Sequence, residues 1–336
     1  MINLKHPRVL HIGPVPVLPV LIVCVLLFSG FTCHSTDPLD DDTGETETTF
    51  LVLNADDGLA DSFVTALLYD PGRDGVWIAT VNGITFFDNA DSSLTTFGAE
   101  ANLPSFECTS LEYDPWTGDI WVGTVAGAAV YQDDTGWTTL TDILGRYVTD
   151  IHVHNDGSLW FATKTGIEVF TAAEQISYTV TDGLAHNAVN VFAKQSDDVL
   201  WIGTQSGLNS FDNGLIMTYN ATLLPSQVVY ALAVLPDDSV WVGTANGVAV
   251  NDDGAWTATG TDEGLPDPVV NDLAYTGTEG LFAATMGGAA RYSDDKWSHF
   301  DLPERVSAYA VTCIAGDKGR GAVWFGTRGG VVRFEP

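Results

Sequence analysis

The chemistry available to this sequence rests on a few basic and aromatic side chains, because the chain is otherwise strongly acidic. It has 13 Lys and Arg against 44 Asp and Glu in 336 residues, a formal net charge of −31 at pH 7. Two of the basic residues precede Cys33, so the remainder has 11 basic and 44 acidic residues, a net charge of −33. Such a surface repels phosphate backbones, which excludes nucleic acid as a partner. It also disfavours acidic polysaccharides, unless a local basic patch or bridging cations intervene.

Sequence signatures of catalysis and metal binding are absent. There is no Gly-x-Ser-x-Gly, no phosphate-binding loop and no His-Glu-x-x-His. His152 and His154 alternate along one predicted strand, but two His form only half of a plausible metal site, and we expect them to pack in the core or channel. Acidic pairs such as Asp56/Asp57 are expected to mark solvated turns, and none stands out as a glycosidase pair. We therefore predict no metal and no cofactor.

The elements that position these residues repeat seven times along the chain. Each copy is centred on an aromatic residue, and successive copies are spaced by 44, 39, 41, 40, 41 and 42 residues. The aromatic residues are Trp77, Trp121, Trp160, Trp201, Trp241, Phe282 and Trp324. Gly or Ala follows two positions later, Thr three positions later and Gly six positions later, as in Gly203, Thr204 and Gly207. A period near forty residues indicates one supersecondary unit per copy.

One copy contains four short strands separated by turn residues. Runs such as Leu200–Thr204 are apolar at successive positions, which is typical of a strand buried on both faces. The Thr-x-x-Gly that follows predicts a two-residue hairpin, and Asn82-Gly83 and Asn246-Gly247 are expected to form type I′ turns. Seven such units predict an all-β fold, a seven-bladed β-propeller of four-stranded antiparallel blades. Thr48–Leu53 resembles the outer strand Leu94–Phe97, so we expect it to complete the last blade and close the ring.

The repeat also matches a known family pattern. The sequence from Asp182-Gly183-Leu184 through Trp201–Asp212 resembles the two-component regulator propeller repeat, and the resemblance covers roughly residues 48–336. It implies a β-propeller with a binding role outside the cytoplasm, as in periplasmic sensor domains of bacterial hybrid two-component systems. Many of those sensors respond to polysaccharide fragments. Because no kinase, DNA-binding module or second propeller accompanies the repeats here, we expect a sensor-like module without its own signalling domain.

The residues before the repeats predict export from the cytoplasm. Residues 1–32 resemble a signal peptide, with Lys5 and Arg8 before the apolar run Pro19–Phe31, which is short for a membrane span. Cys33 is a candidate lipidation site, and an uncleaved anchor stays open as an alternative. Residues 33–47 are acidic and rich in hydroxyls, and we expect a flexible linker. We predict a periplasmic, cell-surface or secreted protein, or an outer-membrane lipoprotein, that meets the membrane only through its N-terminal signal or lipid.

Two cysteines fall within the repeats, on the predicted first strands of different blades. Cys108 belongs to blade two and Cys313 to blade seven, and blade one separates them. A disulfide requires Cα atoms within about 7 Å. We therefore predict that both thiols are buried and free.

One face of the predicted propeller collects candidate ligand-binding residues. The Thr-x-x-Gly turns and the loops that lead into each first strand emerge together, and loops on a rigid scaffold commonly bind ligands. Four of the eleven basic residues lie there, namely Arg146, Lys164, Arg305 and Arg328. The other candidates are Asn82, Tyr147, His186, Gln205, Tyr230, Asn246 and Tyr309. Together they predict a polar-aromatic site, the alternative being that neighbouring acids neutralise the basic residues. The repeated Thr is expected to be structural.

These observations predict a non-catalytic, extracytoplasmic propeller that binds a ligand or a protein and acts as a monomer. The expected partner is an oligosaccharide or an envelope protein. Two alternatives stay open, a propeller-type lyase or glycosidase acting on a polysaccharide, and a structural envelope scaffold. An enzyme would lose activity when a single histidine or acid of this face is replaced, whereas a binding module would lose affinity stepwise.

Overall fold

A computed structural model describes residues 49–98, 101–219, 221–277 and 279–336. They form seven four-stranded antiparallel sheets, which confirms the predicted seven-bladed β-propeller. In six sheets the strands pair in chain order, and in the seventh the first described strand pairs with the last. The inner strands of successive blades lie side by side around the centre. The predicted signal peptide (residues 1–32), Cys33 and the predicted linker (residues 33–47) lie outside the described residues and stay predictions.

The strand bounds follow the repeat closely. The described part of the chain begins with β1 (Thr49–Leu53). Blade 1 comprises β2 (Val64–Asp70), β3 (Gly75–Thr80), β4 (Gly83–Asp88) and β5 (Leu94–Phe97). Blade 2 comprises β6 (Cys108–Tyr113), β7 (Ile120–Thr124), β8 (Gly127–Gln132) and β9 (Gly136–Leu140). Blade 3 comprises β10 (Val148–Val153), β11 (Leu159–Thr163), β12 (Gly166–Phe170) and β13 (Gln175–Tyr178).

The remaining blades repeat this arrangement. Blade 4 comprises β14 (Val189–Lys194), β15 (Leu200–Thr204), β16 (Gly207–Asp212) and β17 (Leu215–Thr218). Blade 5 comprises β18 (Val229–Val234), β19 (Val240–Thr244), β20 (Gly247–Asp252) and β21 (Ala255–Thr259). Blade 6 comprises β22 (Val270–Tyr275), β23 (Leu281–Thr285), β24 (Gly288–Ser293) and β25 (Lys296–Phe300). Blade 7 comprises β26 (Val311–Asp317), β27 (Ala322–Thr327), β28 (Gly330–Glu335) and β1. A one-turn helix, α1 (Glu304–Ser307), and five 3-10 turns occupy loops.

The ring is closed by strand β1, as predicted. It pairs antiparallel with β28, from Thr49 opposite Glu335 to Leu53 opposite Val331. Phe50 extends the contact, with its ring centroid 5.4 Å from that of Phe334. The described start and end of the chain therefore form one sheet, and blade 7 has four strands like the others.

The hydrophobic core lies between the blades instead of within one central mass. A separate apolar cluster joins each of the seven pairs of neighbouring blades. The repeated aromatic residue lies on the second strand and packs against the following blade, as Trp160 of blade 3 does with Leu184 and Val189 of blade 4. This placement explains why the aromatic residue recurs, since every interface needs a large apolar side chain at the same point.

Glycine two positions after the aromatic residue allows the next blade to approach closely. A Cβ at Gly203 would lie 2.6 Å from Val229 Cγ1, and one at Gly243 would lie 2.8 Å from Val270 Cγ1. Both valines begin the inner strand of the following blade. A side chain at this position would therefore push neighbouring blades apart.

The repeated Thr fixes the turn between the second and third strands, as expected. In blade 4, Thr204 Oγ1 donates to Gly207 O at 2.7 Å and accepts from Ser206 N at 3.2 Å, and the same pair of bonds recurs in every blade.

The predicted type I′ turns at Asn82-Gly83 and Asn246-Gly247 are wrong. Thr80 pairs with Gly83, so the two central residues are Val81 and Asn82, and neither has positive φ. A type I′ turn requires positive φ at both. The glycine follows the turn with φ of 124° at Gly83, because its own position, not the centre of the turn, needs a left-handed backbone.

Acidic residues in the loops before the inner strands cap local turns. Asp57 Oδ2 accepts from Asn54 N at 3.0 Å, and Asp182 Oδ2 accepts from Thr179 N at 2.9 Å. Asp57 is thus a turn residue, as expected of the acidic pairs. The sequence Asp182-Gly183-Leu184 ends one such turn, with Gly183 at φ 113° and Leu184 buried.

Cys108 and Cys313 are buried and free, in agreement with the prediction. Burial raises the pKa of Cys108 to about 12 and also raises the pKa of Cys313. Neither thiol is therefore a nucleophile at neutral pH. In the described part of the chain, no helix has the length and apolarity needed to cross a membrane.

Candidate functional site

One face of the propeller is assembled by hydrogen bonds between turns and loops. The first turn residue donates to the residue before the inner strand of its own blade, as Gln205 N does to Ala188 O at 2.9 Å. The turn glycine donates to the loop of the next blade, as Gly207 N does to Gln227 O at 2.7 Å. The Thr-x-x-Gly turns and the entering loops therefore share one face, as predicted, and side chains on them surround the mouth of the central channel.

A β-bulge shapes this mouth in all seven blades. The pairing of each inner strand with its neighbour skips the second residue of the inner strand. A bulge twists the strand and re-aims the extra side chain. The bulged residues are Thr65, Thr109, Thr149, Asn190, Tyr230, Asn271 and Thr312.

Five of the bulged residues form a belt of hydrogen bonds between blades. Each donates its side chain to the backbone carbonyl that begins the next inner strand, as Thr149 Oγ1 does to Val189 O and Asn190 Nδ2 does to Val229 O, both at 2.7 Å. The same bond is made by Thr109, Asn271 and Thr312. These small polar residues are thus part of the structure of the ring.

The belt is interrupted at two blades. Thr65 Oγ1 is buried and has no hydrogen-bond partner among the described residues. Tyr230 stands where the other blades have Thr or Asn, and its side chain is 37% exposed. Tyr230 does not make the hydrogen bond between blades that Thr and Asn make at this position. Its presence there therefore requires another explanation.

The mouth encloses a cavity of about 440 Å³. Its walls come from blades 1 to 6 and combine aromatic rings with amide, hydroxyl and charged groups. The lining residues are Phe63, Thr65, Val81, Glu107, Cys108, Thr109, Tyr147, Thr149, Lys164, Asn190, Gln205, Tyr230 and Asn271. Aromatic side chains together with convergent polar groups are typical of a small-ligand site.

Four predicted site residues meet in this cavity, namely Tyr147, Lys164, Gln205 and Tyr230. Lys164 Nζ lies 3.1 Å from Asn190 Oδ1 and 5.6 Å from the centroid of the Tyr147 ring. Burial at the mouth lowers the pKa of Lys164. Burial, and then the charge of Glu107, raise the pKa of Tyr147.

Arg328 borders the cavity without lining it. Its guanidinium carbon lies 5.3 Å from the centroid of the Phe63 ring, and Phe63 is a lining residue. Tyr309 lies beside it, packed against Gly329, where a Cβ would come within 2.4 Å of Tyr309 Cε2.

The other predicted residues lie outside the cavity. Arg146 pairs with Glu168 at 3.2 Å and Arg305 with Asp57 at 2.8 Å, so the alternative of neutralisation by neighbouring acids holds for these two. His186 Nδ1 accepts from Ala188 N at 2.9 Å and shapes its own loop. Asn82 and Asn246 are exposed turn residues. Asn246 lines a separate cavity of about 250 Å³.

Sequence reasoning missed several lining residues, among them Phe63, Glu107, Asn190 and Asn271. They precede the inner strand by one residue or occupy its second position. The signal for them was present, since both positions vary in residue type between copies of an otherwise regular repeat. What could not be foreseen was the bulge that turns the second position toward the mouth.

Below the mouth, the channel holds ionisable groups between blades. Asp150 Oδ2 accepts from Phe192 N of blade 4 at 2.7 Å, and Asp272 Oδ2 accepts from Ile314 N of blade 7 at 2.8 Å. Burial raises the pKa of Asp150 to about 8 and the pKa of Asp272 to about 6. Both carboxyls thus link neighbouring inner strands.

His152 lies on the same inner strand as Asp150, and His154 directly follows that strand. Their ring centroids are 6.0 Å apart. His152 Nδ1 is 3.5 Å from Glu112 Oε1, and burial lowers the pKa of His154. Among the residues that the structure describes, no group of three or more His, Cys, Asp or Glu side chains is arranged to hold a metal ion. The two histidines are packed within the ring, where the sequence suggested core or channel packing.

Fold and face together define a seven-bladed propeller with a ligand-sized cavity at one mouth of its channel. No protein-family model matches the sequence, and no curated protein sequence is similar to it. The structure is similar to the extracellular domain of the hybrid two-component system BT3049 from B. thetaiotaomicron, with a TM-score of 0.73 and 20% identity. That match covers 86% of this chain and 41% of the other, so the chain spans about two fifths of that protein domain's length.

Two further structures have the same fold with different functions. A catalytically inactive histidine-to-alanine variant of virginiamycin B lyase from Staphylococcus aureus, solved with quinupristin, has a TM-score of 0.71 at 15% identity and covers 86% of this chain and 100% of its own. PorZ, a surface component of the type-IX secretion system of Porphyromonas gingivalis, has a TM-score of 0.66 at 16% identity and covers 83% of this chain and 47% of its own. At these identities the likeness shows the fold alone. The similarity to an extracellular two-component propeller agrees with the family resemblance seen in the repeats.

Proposed function

We propose that this protein is a non-catalytic receptor that binds an oligosaccharide at the mouth of the propeller channel, outside the cytoplasm. The predicted signal peptide, the resemblance to two-component sensor propellers and the similarity to an extracellular sensor domain support the compartment and the class of ligand. The cavity of about 440 Å³ supports the position of the site.

Tyr230 is the observation that carries the proposal. Five of the seven bulged residues hold the ring together through a small polar side chain, whereas Tyr230 gives up that bond and presents an aromatic ring to the cavity. Because Tyr230 lines the cavity and does not make the hydrogen bond between blades, we expect its side chain to contact a ligand. Aromatic rings stack on the apolar faces of sugar rings, while Gln205 offers hydrogen bonds to hydroxyls.

The composition of the cavity favours binding over catalysis. Of its described lining residues, Glu107 is the one carboxylate, and no histidine is among them. General acid–base cleavage of a glycosidic bond uses two carboxylic groups about 5 to 10 Å apart. A glycosidase mechanism therefore lacks its pair of carboxylic groups among the described lining residues of this cavity.

The proposal is tested by thermal unfolding of the full chain against a panel of neutral and acidic oligosaccharides. A ligand at a hundred times its Kd stabilises by about 2.7 kcal/mol, which raises Tm by several degrees, at roughly 2 °C or more per kcal/mol. Tyr230→Asn restores a belt residue and should abolish the shift without lowering the Tm of the free protein.

Tyr275→Asn is the matched control for that variant. Tyr275 is 38% exposed, close to the 37% of Tyr230, but it ends an inner strand far from the bulge. It should keep the ligand-induced shift. No shift with any oligosaccharide, or equal losses in both variants, would contradict a saccharide site at the mouth and would turn attention to an envelope protein partner.

A further inference from the structure

Lys164 occupies a fixed position that no other blade fills with the same residue. It is the first of the two turn residues in blade 3, where the other blades have Val81, Val125, Gln205, Ala245, Met286 and Arg328. The Thr163 hydroxyl donates to Gly166 O at 2.7 Å and accepts from Thr165 N at 3.0 Å, so the turn is held as in every blade. The hydrogen bonds of this turn are therefore the same in every blade, and only the side chain of the first turn residue differs.

The ammonium group of Lys164 has no acidic partner in the described part of the chain, although acids outnumber basic residues 44 to 13. Arg146 and Arg305 on the same face are paired with Glu168 and Asp57. Lys164 instead contacts one neutral oxygen, Asn190 Oδ1, and the face of the Tyr147 ring. An ammonium has three donors, so two of them remain for a bound molecule.

The environment of Lys164 makes its charge costly while the cavity holds no ligand. Partial removal from water disfavours an ammonium that lacks an anion, and the lowered pKa of Lys164 has this cause. An anionic group placed against Nζ would remove that cost and form a charge-assisted hydrogen bond. Glu107, in the neighbouring blade, lines the same cavity and would repel a second negative group.

We propose that the ligand bound at this mouth carries a single carboxylate on a sugar ring, a uronic acid, and that Lys164 recognises the carboxylate. This inference rests on the proposed saccharide-binding function and specifies its ligand class. The sugar ring stacks on the tyrosines of the cavity, its carboxylate meets Lys164 Nζ, and Glu107 accepts from its hydroxyls. The strongly acidic remainder of the surface then acts as a filter, because polysulfated chains are repelled.

Isothermal titration of the full chain with matched ligands tests this inference. Oligosaccharides that carry one galacturonic or mannuronic acid residue are compared with their methyl esters, which keep the rings and remove the charge. Because a hydrogen bond to a charged group contributes about 1.5–3 kcal/mol, the acids should bind about tenfold or more tighter than the esters. Lys164→Met should equalise acid and ester, and Lys164→Arg should restore part of the preference.

The controls separate this inference from the proposed function. Arg146→Met removes a basic residue of the same face that already pairs with Glu168, so it should leave the preference for the acids unchanged. Equal affinity of acids and esters for the unaltered chain, or binding of neutral oligosaccharides alone, would overturn the inference and leave the proposed function standing. Absence of binding by any saccharide in the panel would overturn both.

Discussion

Replacing Asp150 with Asn is expected to change how the stability of the propeller depends on pH. The Asp150 carboxylate joins blades 3 and 4, because Oδ2 accepts from Phe192 N at 2.7 Å. Its Oδ1 accepts from Ile151 N of its own strand at 2.9 Å. Burial raises the pKa of Asp150 from 3.8 to about 8, against the opposing effect of these two hydrogen bonds. The folded protein therefore holds a proton on Asp150 at pH values where the unfolded chain has lost it.

The size of the effect follows from the two pKa values. A carboxyl with a raised pKa in the folded state contributes its stabilisation fully below the unfolded value of 3.8 and loses it as pH rises toward about 8. Within that interval each pH unit corresponds to about 1.4 kcal/mol. Between about pH 5 and pH 7, Asp150 thus lowers the free energy of unfolding by roughly 3 kcal/mol, and an Asn at this position has no such dependence.

Urea unfolding of the full chain at several pH values between about 5 and 8 measures this difference. The free energy of unfolding of the unaltered chain, minus that of Asp150→Asn, should fall by roughly 3 kcal/mol from pH 5 to pH 7. Asp272→Asn is the internal comparison, since the pKa of Asp272 is raised to about 6 and its difference should level off above that pH. A difference for Asp150→Asn that stays constant over the whole range would refute the reasoning, because Asp150 would then ionise normally in the folded state.

Three further outcomes follow from the fold. Thr204→Val removes a buried turn hydroxyl that makes two bonds and should lower the free energy of unfolding by about 1–3 kcal/mol, whereas Thr138→Val, at an exposed position of β9, should change it by less than about 0.5 kcal/mol in urea unfolding. Removing residues 49–53 should lower Tm, and a synthetic peptide of that sequence should restore it by pairing with β28; a truncated chain with unchanged Tm would contradict closure by β1. Thiol labelling followed by peptide mapping should find Cys108 and Cys313 unmodified in the native protein and modified in denaturant, and native labelling of either would contradict their burial.

The repeat made most of the fold predictable. Each copy contains its own aromatic residue, small residue, Thr and Gly, and the structure uses each of them in the same way in every blade, as with Trp160, Gly203 and Thr204. Closure by β1 was also predictable. The last repeat supplies three strands, and the spare strand before the first repeat resembles the missing outer strand, so it was expected to complete that sheet. The turn type was not, because the sequence did not show that Gly83 follows the two central residues, Val81 and Asn82, where it donates its N–H to Phe106 O of the neighbouring loop.

The sequence by itself determined the blades, their number and the face on which variable residues gather, because these depend on patterns that recur within about forty residues. Only the tertiary structure decided which variable residues meet. Tyr147, Lys164, Gln205 and Tyr230 come from three different blades, and they share a cavity because the closed ring brings these blades to one mouth and the bulge of blade 5 directs Tyr230 there. The sequence did not distinguish Arg146 from Lys164 as a candidate for ligand binding. In the structure, Arg146 pairs with Glu168 of its own blade. Pairing of charges depends on distances between side chains, and those distances exist only once the ring has formed.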